Sequence, residues 1–236
     1  MVYRGNGVLA IWQDLEPSAD RSVHNWYNRQ HHPERISIPG FLFVRRYEAI
    51  SGTPDYFSHY GVEEPAVLAT EEYLARVNDP TDWTKREMPN FRNMTRSVCR
   101  VEARLGQGEG GCVATWRLAP QAGREDDLRG WLCDEALPAA VKRWGIPQAQ
   151  FWTADNDTTV IRSNERGLRD EDALADWVVI VQANHADELD ALRAEVLPDA
   201  ALEAHGAAPG TLWASYRLLF SLDREALTTG PAKDGP

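Results

Sequence analysis

Residues 25–49 read NWYNRQHHPERISIPGFLFVRRYEA, and the fold turns on where the helix in this stretch stops and the strand begins. Pro33 and the Ile38-Pro39-Gly40 turn close the helix, because proline disfavours helical backbone in the residue before it. Phe41 to Ile50, rich in aromatic and β-branched side chains, follows as a strand. Upstream, the helix starts near Ser18 and runs to about Ile36, and Gly7 to Leu15 (GVLAIWQDL) alternates as a strand before it. Downstream, Gly52-Thr53-Pro54 turns the chain into Asp55 to Glu63, an antiparallel partner. A helix from Pro65 to about Val77 comes next, then an irregular stretch through Asn78-Asp79-Pro80 and Trp83, then a strand from Asn93 to Leu105. The order β-α-β-β-α-β is the ferredoxin-like unit, whose helices cover one face of an antiparallel sheet.

After the flexible linker GQGEGG at residues 106–111 the same order begins again. Cys112 to Leu118 reads as a strand, Arg124 to Trp144 as a helix, and Ala149 to Ala154 and Trp177 to Ala183 as strands. Asp187 to about Ala204 is the second helix and Leu212 to Leu222 the last strand, with a tail after Leu227 expected to fray. The expected fold class is therefore α+β, built from two tandem ferredoxin-like units at residues 1–106 and 107–236, the second a degenerate copy. Matched positions support a duplication: Trp12 with Trp116, Trp26 and Pro33 with Trp131 and Pro138, Asp55-Tyr56 with Asp176-Trp177. Against these, His31 falls opposite Ala136, His32 opposite Leu137, Glu34 and Arg35 opposite Ala139 and Ala140, and His59 opposite Ile180. A purely structural need would be shared by both copies, so the first unit is read as the bearer of the site.

The chain has 236 residues, 43% of them apolar, enough for a substantial core. Its 36 acidic against 25 basic residues give a net charge of −11, which repels a phosphate backbone, so nucleic acid is not an expected partner. No segment approaches the roughly 20 apolar residues of a membrane span, and no signal peptide is read, so a soluble cytoplasmic protein is expected. Cys99, Cys112 and Cys133 lack CxxC spacing and indicate neither a disulfide framework nor zinc. Nucleophile elbow, phosphate loop and dinucleotide fingerprint are absent from the sequence.

On a regular helix His24, Asn28, His31 and Arg35 share one face. An ordinary solvated face reads the same way, and the loss in the second copy is what favours function. His31 is placed as a general base or acid, because an unperturbed imidazole titrates near neutral pH. Arg35, a fixed cation, is placed to hold a carboxylate or enolate. In the strand Asp55 to Glu63, Tyr56, Ser58 and Tyr60 take one face and Phe57, His59 and Gly61 the other, and one of the two sets should line the cavity. His59 reads as catalytic or as a core histidine with equal force. Arg92 and Asn93 are candidate substrate contacts, Trp83 a lid or a plug, and Trp12 a wall of the site. Trp116, Trp152 or Arg162 are what the second half has to offer the cavity. His24, His31, His32, Glu34 and His59 include metal-donor types, but their spacing matches no metal signature and no metal is expected.

The repeated β-α-β-β-α-β order, residues 25–49, and the run WTKREMPNFRNMTR at residues 83–96 resemble the dimeric α/β-barrel superfamily, particularly its EthD-like and antibiotic-biosynthesis-monooxygenase-like members. The resemblance covers most of the first half and the second half in outline. It implies two sheets packed into an α/β barrel and a histidine at position 31. It leaves the chemistry open between cofactor-free monooxygenases, isomerases and haem enzymes, and no haem-ligand motif is recognisable. The expectation is a cofactor-free enzyme of isomerase, lyase or monooxygenase type. It would act on a mainly apolar or aromatic small molecule by proton transfer through His31, with Arg35, Asn28, His59 and Asn93 around the substrate. A haem enzyme and a non-catalytic ligand-binding protein are the alternatives, and pairing of the chain into a homodimer is left open.

Overall fold

The computed structural model describes residues 5–169 and 171–227, and among these eight strands form one closed antiparallel barrel. The first half supplies β1 (Gly7–Leu15), β2 (Phe41–Ser51), β3 (Tyr56–Val62) and β4 (Phe91–Gly106). The second supplies β5 (Cys112–Leu118), β6 (Gln148–Ala154), β7 (Trp177–Ala183) and β8 (Leu212–Asp223). Around the barrel the order is β1-β3-β2-β8-β5-β7-β6-β4, so each half keeps the ferredoxin-like arrangement. The halves join where β2 pairs with β8 and β4 with β6. Both seams are antiparallel ladders that shift register at bulges but stay paired along their length, which leaves no open sheet edge. The α+β class holds, and the barrel closes within one polypeptide.

Alternation along the strands sends side chains in two directions. On β1, Val8, Ala10 and Trp12 point into the barrel, where they pack with Tyr47, Phe57, Trp152, Val178 and Tyr216. Trp12 is fully buried, stacks on Phe57 at 4.9 Å and donates from Nε1 to Thr115 Oγ1 at 3.1 Å, linking the two halves. The space between the two sheets is thus a filled aromatic core. A substrate site is expected inside the barrel from the resemblance, but a cavity lies on the outer face of the first sheet, under its helices.

The first helix runs from α1 (Asp20–Trp26) through a π-turn (Tyr27–His31) into α2 (His32–Ser37), and Gly40, at φ 85°, turns the chain into β2. Pro33 explains the widened turn: it has no N–H to give and its ring would press on the carbonyl one turn back, and one extra residue relieves both. After β3 a 3₁₀ turn (Pro65–Ala69) leads into α3 (Glu71–Asn78). The stretch expected to be irregular then folds as α4 (Asp82–Glu87), capped by the Thr81 side chain accepting from the Thr84 N–H. In the second half α5 (Glu125–Trp131), a π-turn (Leu132–Ala136) and α6 (Leu137–Val141) repeat the first arrangement with Pro138 in the place of Pro33. Between β6 and β7 stand α7 (Asn156–Thr159) and a 3₁₀ turn (Arg166–Leu168), neither of them expected. The helix expected over 187–204 divides at Pro198 into α8 (Ala186–Glu195) and α9 (Asp199–Ala204). The tail after Leu227 lies outside the described residues.

The ladders correct one matched pair. Gln13 pairs with Tyr56 and Leu118 with Trp177, so with Tyr56 equivalent to Trp177 the counterpart of Trp12 is Arg117 and that of Ile11 is Trp116. Trp116 accordingly faces the helices of the second half, whereas Trp12 faces the barrel interior. Among the described residues no helix is long and apolar enough to cross a membrane.

Candidate functional site

A cavity of about 30 Å³, room for one or two waters, lies between the outer face of the first sheet and the helix that carries the π-turn. Leu9, Ile11 and Gln13 of β1 with Tyr60 of β3 form its floor, and Trp26, Tyr27, His31 and Arg35 its roof. Arg96 of β4 stands at one side and Glu165, Arg166 and Arg169, from the segment between β6 and β7, close the mouth. Position for position, the second half is solid: Ala136 and Val181, the counterparts of His31 and Tyr60, belong to an apolar core.

The π-turn decides which side chains reach this space. It buries Tyr27, Gln30 and His31 and leaves Asn28 exposed, so the regular-helix stripe expected to join Asn28 to His31 is broken. The His31 ring lies 4.3 Å from Trp26 and 5.4 Å from Tyr27, centroid to centroid. Its Nδ1 is buried with no hydrogen-bond partner among the described residues, as are Gln13 Oε1 and Arg96 Nη1, and all three residues line the cavity. Buried polar atoms are almost always paired, so these three groups call for polar partners within the space they line, such as water or a bound molecule. Gln13 gives its amide N–H to Tyr27 Oη at 2.8 Å, and Arg96 gives Nη2–H to Tyr73 Oη at 3.1 Å. His32 turns away from the cavity, bonded through Nδ1 to Tyr60 Oη at 2.9 Å and stacked between Tyr27 and Phe220.

Burial first, then the charges of Arg35, His32 and Arg169, hold the His31 imidazole well below its ordinary value of 6.5. Burial, then Arg46 and Arg35, do the same to His32. Both are neutral at neutral pH. An unfolded chain protonates these rings below about pH 6.5 and the folded one does not, so their contribution is complete above that pH and is lost as pH falls. The melting temperature is expected to drop between pH 6.5 and 5, with a limiting slope of about 1.4 kcal/mol per pH unit for each ring. A melting curve flat down to pH 5 would show that the rings are not held neutral. Arg35 is pushed down by burial and held up by Glu165 and Glu34; it gives Nη1–H to Glu34 at 3.2 Å and Nη2–H to Glu165. Burial raises Glu34, and Arg35 opposes it.

His31 and Arg35 therefore come together in one cavity, and the other expected site residues fall elsewhere. His59 points into the barrel interior, stacked against Tyr47 at 5.8 Å and Phe57 at 5.5 Å, with the sheet between it and His31. From β3 it is Tyr60, on the opposite face from His59, that lines the cavity. Trp12 is barrel core, as is Trp152, and Trp83 is buried behind the roof with Nε1 donating to Glu87. Asn93 has φ 50° at a β-bulge and donates to Asp14 at 2.7 Å, so its role is to turn the strand. Arg92 is exposed, caps the Pro89 carbonyl and pairs with Glu16 at 3.6 Å. Arg162 lines an outer groove and not the cavity. Gln13, Tyr27, Arg96, Glu165 and Arg169 are cavity residues that nothing in the sequence singles out.

Among the described residues no three His, Cys, Asp or Glu side chains gather as a metal site. As it stands, the space of about 30 Å³ beside the His31 ring, which packs on Trp26 and Tyr27, holds neither a haem nor any other fused-ring molecule.

No family model and no curated protein matches the sequence. Solved structures are similar in fold. A protein described as anthrone oxidase-like superposes at TM-score 0.62 with 11% identity over 94% of both chains. A monooxygenase candidate from Fusobacterium nucleatum gives 0.56 and 10% over 93% of this chain and 95% of that one. A chlorite dismutase candidate gives 0.52 and 13% over 94% and 96%. The chain shares the fold of these proteins, with its eight-stranded antiparallel barrel closed within one polypeptide.

Proposed function

We propose that the cavity under the π-turn is an active site in which neutral His31 removes a proton from an aromatic or polycyclic substrate. The observation that carries this reading is the buried, unpartnered Nδ1 of an imidazole held in its basic form. Trp26, Tyr27 and Phe91 supply flat aromatic walls and Met88 an adaptable one, which suit a fused-ring ligand once the mouth of the cavity opens. When Nδ1 takes a proton from an acidic C–H group, the electron pair left behind spreads onto a ring carbonyl as an enolate. The free Nη1–H of Arg96 and the charge of Arg169 are the groups in the cavity that favour that oxyanion.

The fold neighbour described as anthrone oxidase-like suggests a probe. Anthrone has an acidic methylene opposite its carbonyl. Loss of one proton gives the enolate, its carbon bonds to dioxygen, and the resulting hydroperoxide loses water to leave anthraquinone. One dioxygen is consumed and one water formed, with no external reductant. Oxygen uptake with anthrone and its hydroxylated analogues is expected to exceed the buffer rate and to stay level from pH 8 down to pH 6.5, declining only at lower pH. A profile that falls with a midpoint at or above 6.5 would remove His31 as the base. Retention of these compounds without turnover would make the cavity a binding site only.

A further inference from the structure

Residues 155–176 join β6 to β7, whereas the equivalent connection in the first half, between β2 and β3, is the short turn at residues 52–55. This long connection is tied at both ends to β4: Thr159 Oγ1 donates to the Val98 carbonyl at 3.1 Å, and the Arg96 N–H donates to the Ala173 carbonyl at 2.9 Å. Between those anchors it crosses the mouth of the cavity as a strap. Its middle is latched to the end of α3 by polar bonds, the Glu165 N–H to the Val77 carbonyl at 2.9 Å and Asn164 Nδ2 to the Asn78 carbonyl at 2.7 Å. Val160 and Leu174, two of its apolar residues, are exposed. Between its anchors Leu168 packs on the apolar core and polar bonds and ion pairs hold much of the rest, so the strap can open locally while the barrel stays folded.

Ser163, Arg166 and Arg169 line the cavity on the strap's inner side, and an open groove on its outer side is walled by strap residues alone, from Thr159 to Leu174. The cavity alone is far below the roughly 300–1,000 Å³ of small-molecule sites, so a ligand of that size enters only as the strap lifts. What the strap inserts into the site is a carboxylate: Glu165, its side chain 12% exposed, on Arg35, its side chain 3% exposed. Arg35, Arg96, Arg166 and Arg169 stand around the cavity, with Glu34 and Asp172 bonded to them. Without Glu165 these four cations face two carboxylates, an imbalance that another anion would correct and a neutral ligand would not.

We propose that Glu165 is a built-in stand-in for the ligand's own carboxylate: the site takes an aromatic carboxylate, which replaces Glu165 on Arg35 as the strap lifts. The proposal rests on the reading of this cavity as the ligand site, but it does not require His31 to act as a base. Exchange of one carboxylate for another leaves the buried guanidinium paired throughout. The ligand's rings then lie against Trp26 and Phe91, and its acid group takes the place now held by the strap.

The test is calorimetric binding of 2-naphthoate and of its neutral analogue 2-naphthamide to the whole protein and to Glu165→Gln, an isosteric change that leaves Arg35 its bond to Glu34. The variant is expected to bind naphthoate about tenfold or more tightly than the native protein, with naphthamide affinity changing by less than about threefold. In the native protein, saturating naphthoate is expected to speed amide hydrogen exchange across residues 159–169, a measurement that needs no variant. Equal gains for both ligands would make the strap a steric plug and overturn the carboxylate role. Unchanged naphthoate affinity with unchanged exchange would overturn it too. Failure of both ligands to bind either protein would remove the cavity reading together with the proposal. The expected binding pattern alongside full turnover in a protein lacking His31 would leave the proposal standing and remove only the base.

Discussion

Replacing His31 by phenylalanine is expected to lower kcat/KM on the true substrate by about 10²–10⁴-fold, the usual contribution of a positioned general base, while the fold is no less stable. The second half of that expectation is the more informative one. His31 already packs as an aromatic, on Trp26 and Tyr27, and the space beside it accepts a slightly larger ring. What the imidazole adds to packing is a buried Nδ1 without a partner, and leaving such a group unpaired costs about 1–3 kcal/mol. Phenylalanine removes that cost, together with the acid lability of one ring, so the variant should melt at the native temperature or above it, most visibly below pH 6.5. A residue that the fold is better without is kept for what it does. If His31→Phe melts well below the native protein and turns over normally, His31 is scaffold.

Why this residue stood out in the sequence, and others did not, follows from what periodicity reports. β1, β5 and β7 have the boundaries that their alternation predicts, because a strand between a packed barrel and a layer of helices is apolar on both faces in a regular rhythm. The comparison of the halves picked out His31 and Arg35 through Ala136 and Ala140, and the structure puts both in the cavity. Alternation cannot say which face of β3 meets the cavity, and there the reading divided between Tyr60 and His59. It also assumed a regular helix, although Pro33 in mid-helix was a visible reason for a widened turn, and Asn28 lost its place as a result. Trp12 was matched to Trp116 by residue type, one position out of register, and in a strand one position is the difference between the barrel interior and the helix face.

Glu165, Arg166 and Arg169 gave no periodic signal at all. They sit in an irregular polar connection and reach the first half's site only because β6 pairs with β4 at the seam of the barrel. The available clue was length: a connection of that size where the other half has a tight turn is uncommon unless it serves a function. Asn93 failed for a related reason. Its position in a polar run suggested ligand contact, and the run is polar because the strand bulges there.

Replacing Arg35 by methionine should be among the most destabilising single changes in the first half, about 3–5 kcal/mol, because it removes the cation and leaves Glu34 and Glu165 buried together. For a chain of this length that corresponds to a fall in melting temperature of roughly 6–20 °C. The loss should shrink as pH is lowered. Without Arg35 nothing opposes the upward push of burial on Glu34, and an acid whose folded pKa is raised is stabilised where it is protonated. Adding Glu165→Gln should return more than half of the loss, since one carboxylate of the pair is then neutral. Strictly additive effects in that cycle would mean that Arg35 and Glu165 do not sense each other and would dissolve the ion cluster. The comparison within the molecule says what the cluster is for. At the positions of Glu34 and Arg35 the second half has Ala139 and Ala140, and it builds the same helix, the same π-turn and the same sheet without any charge there. Buried ion pairs seldom add stability over apolar packing, so their presence in one half and absence from the other is what the proposed ligand role predicts.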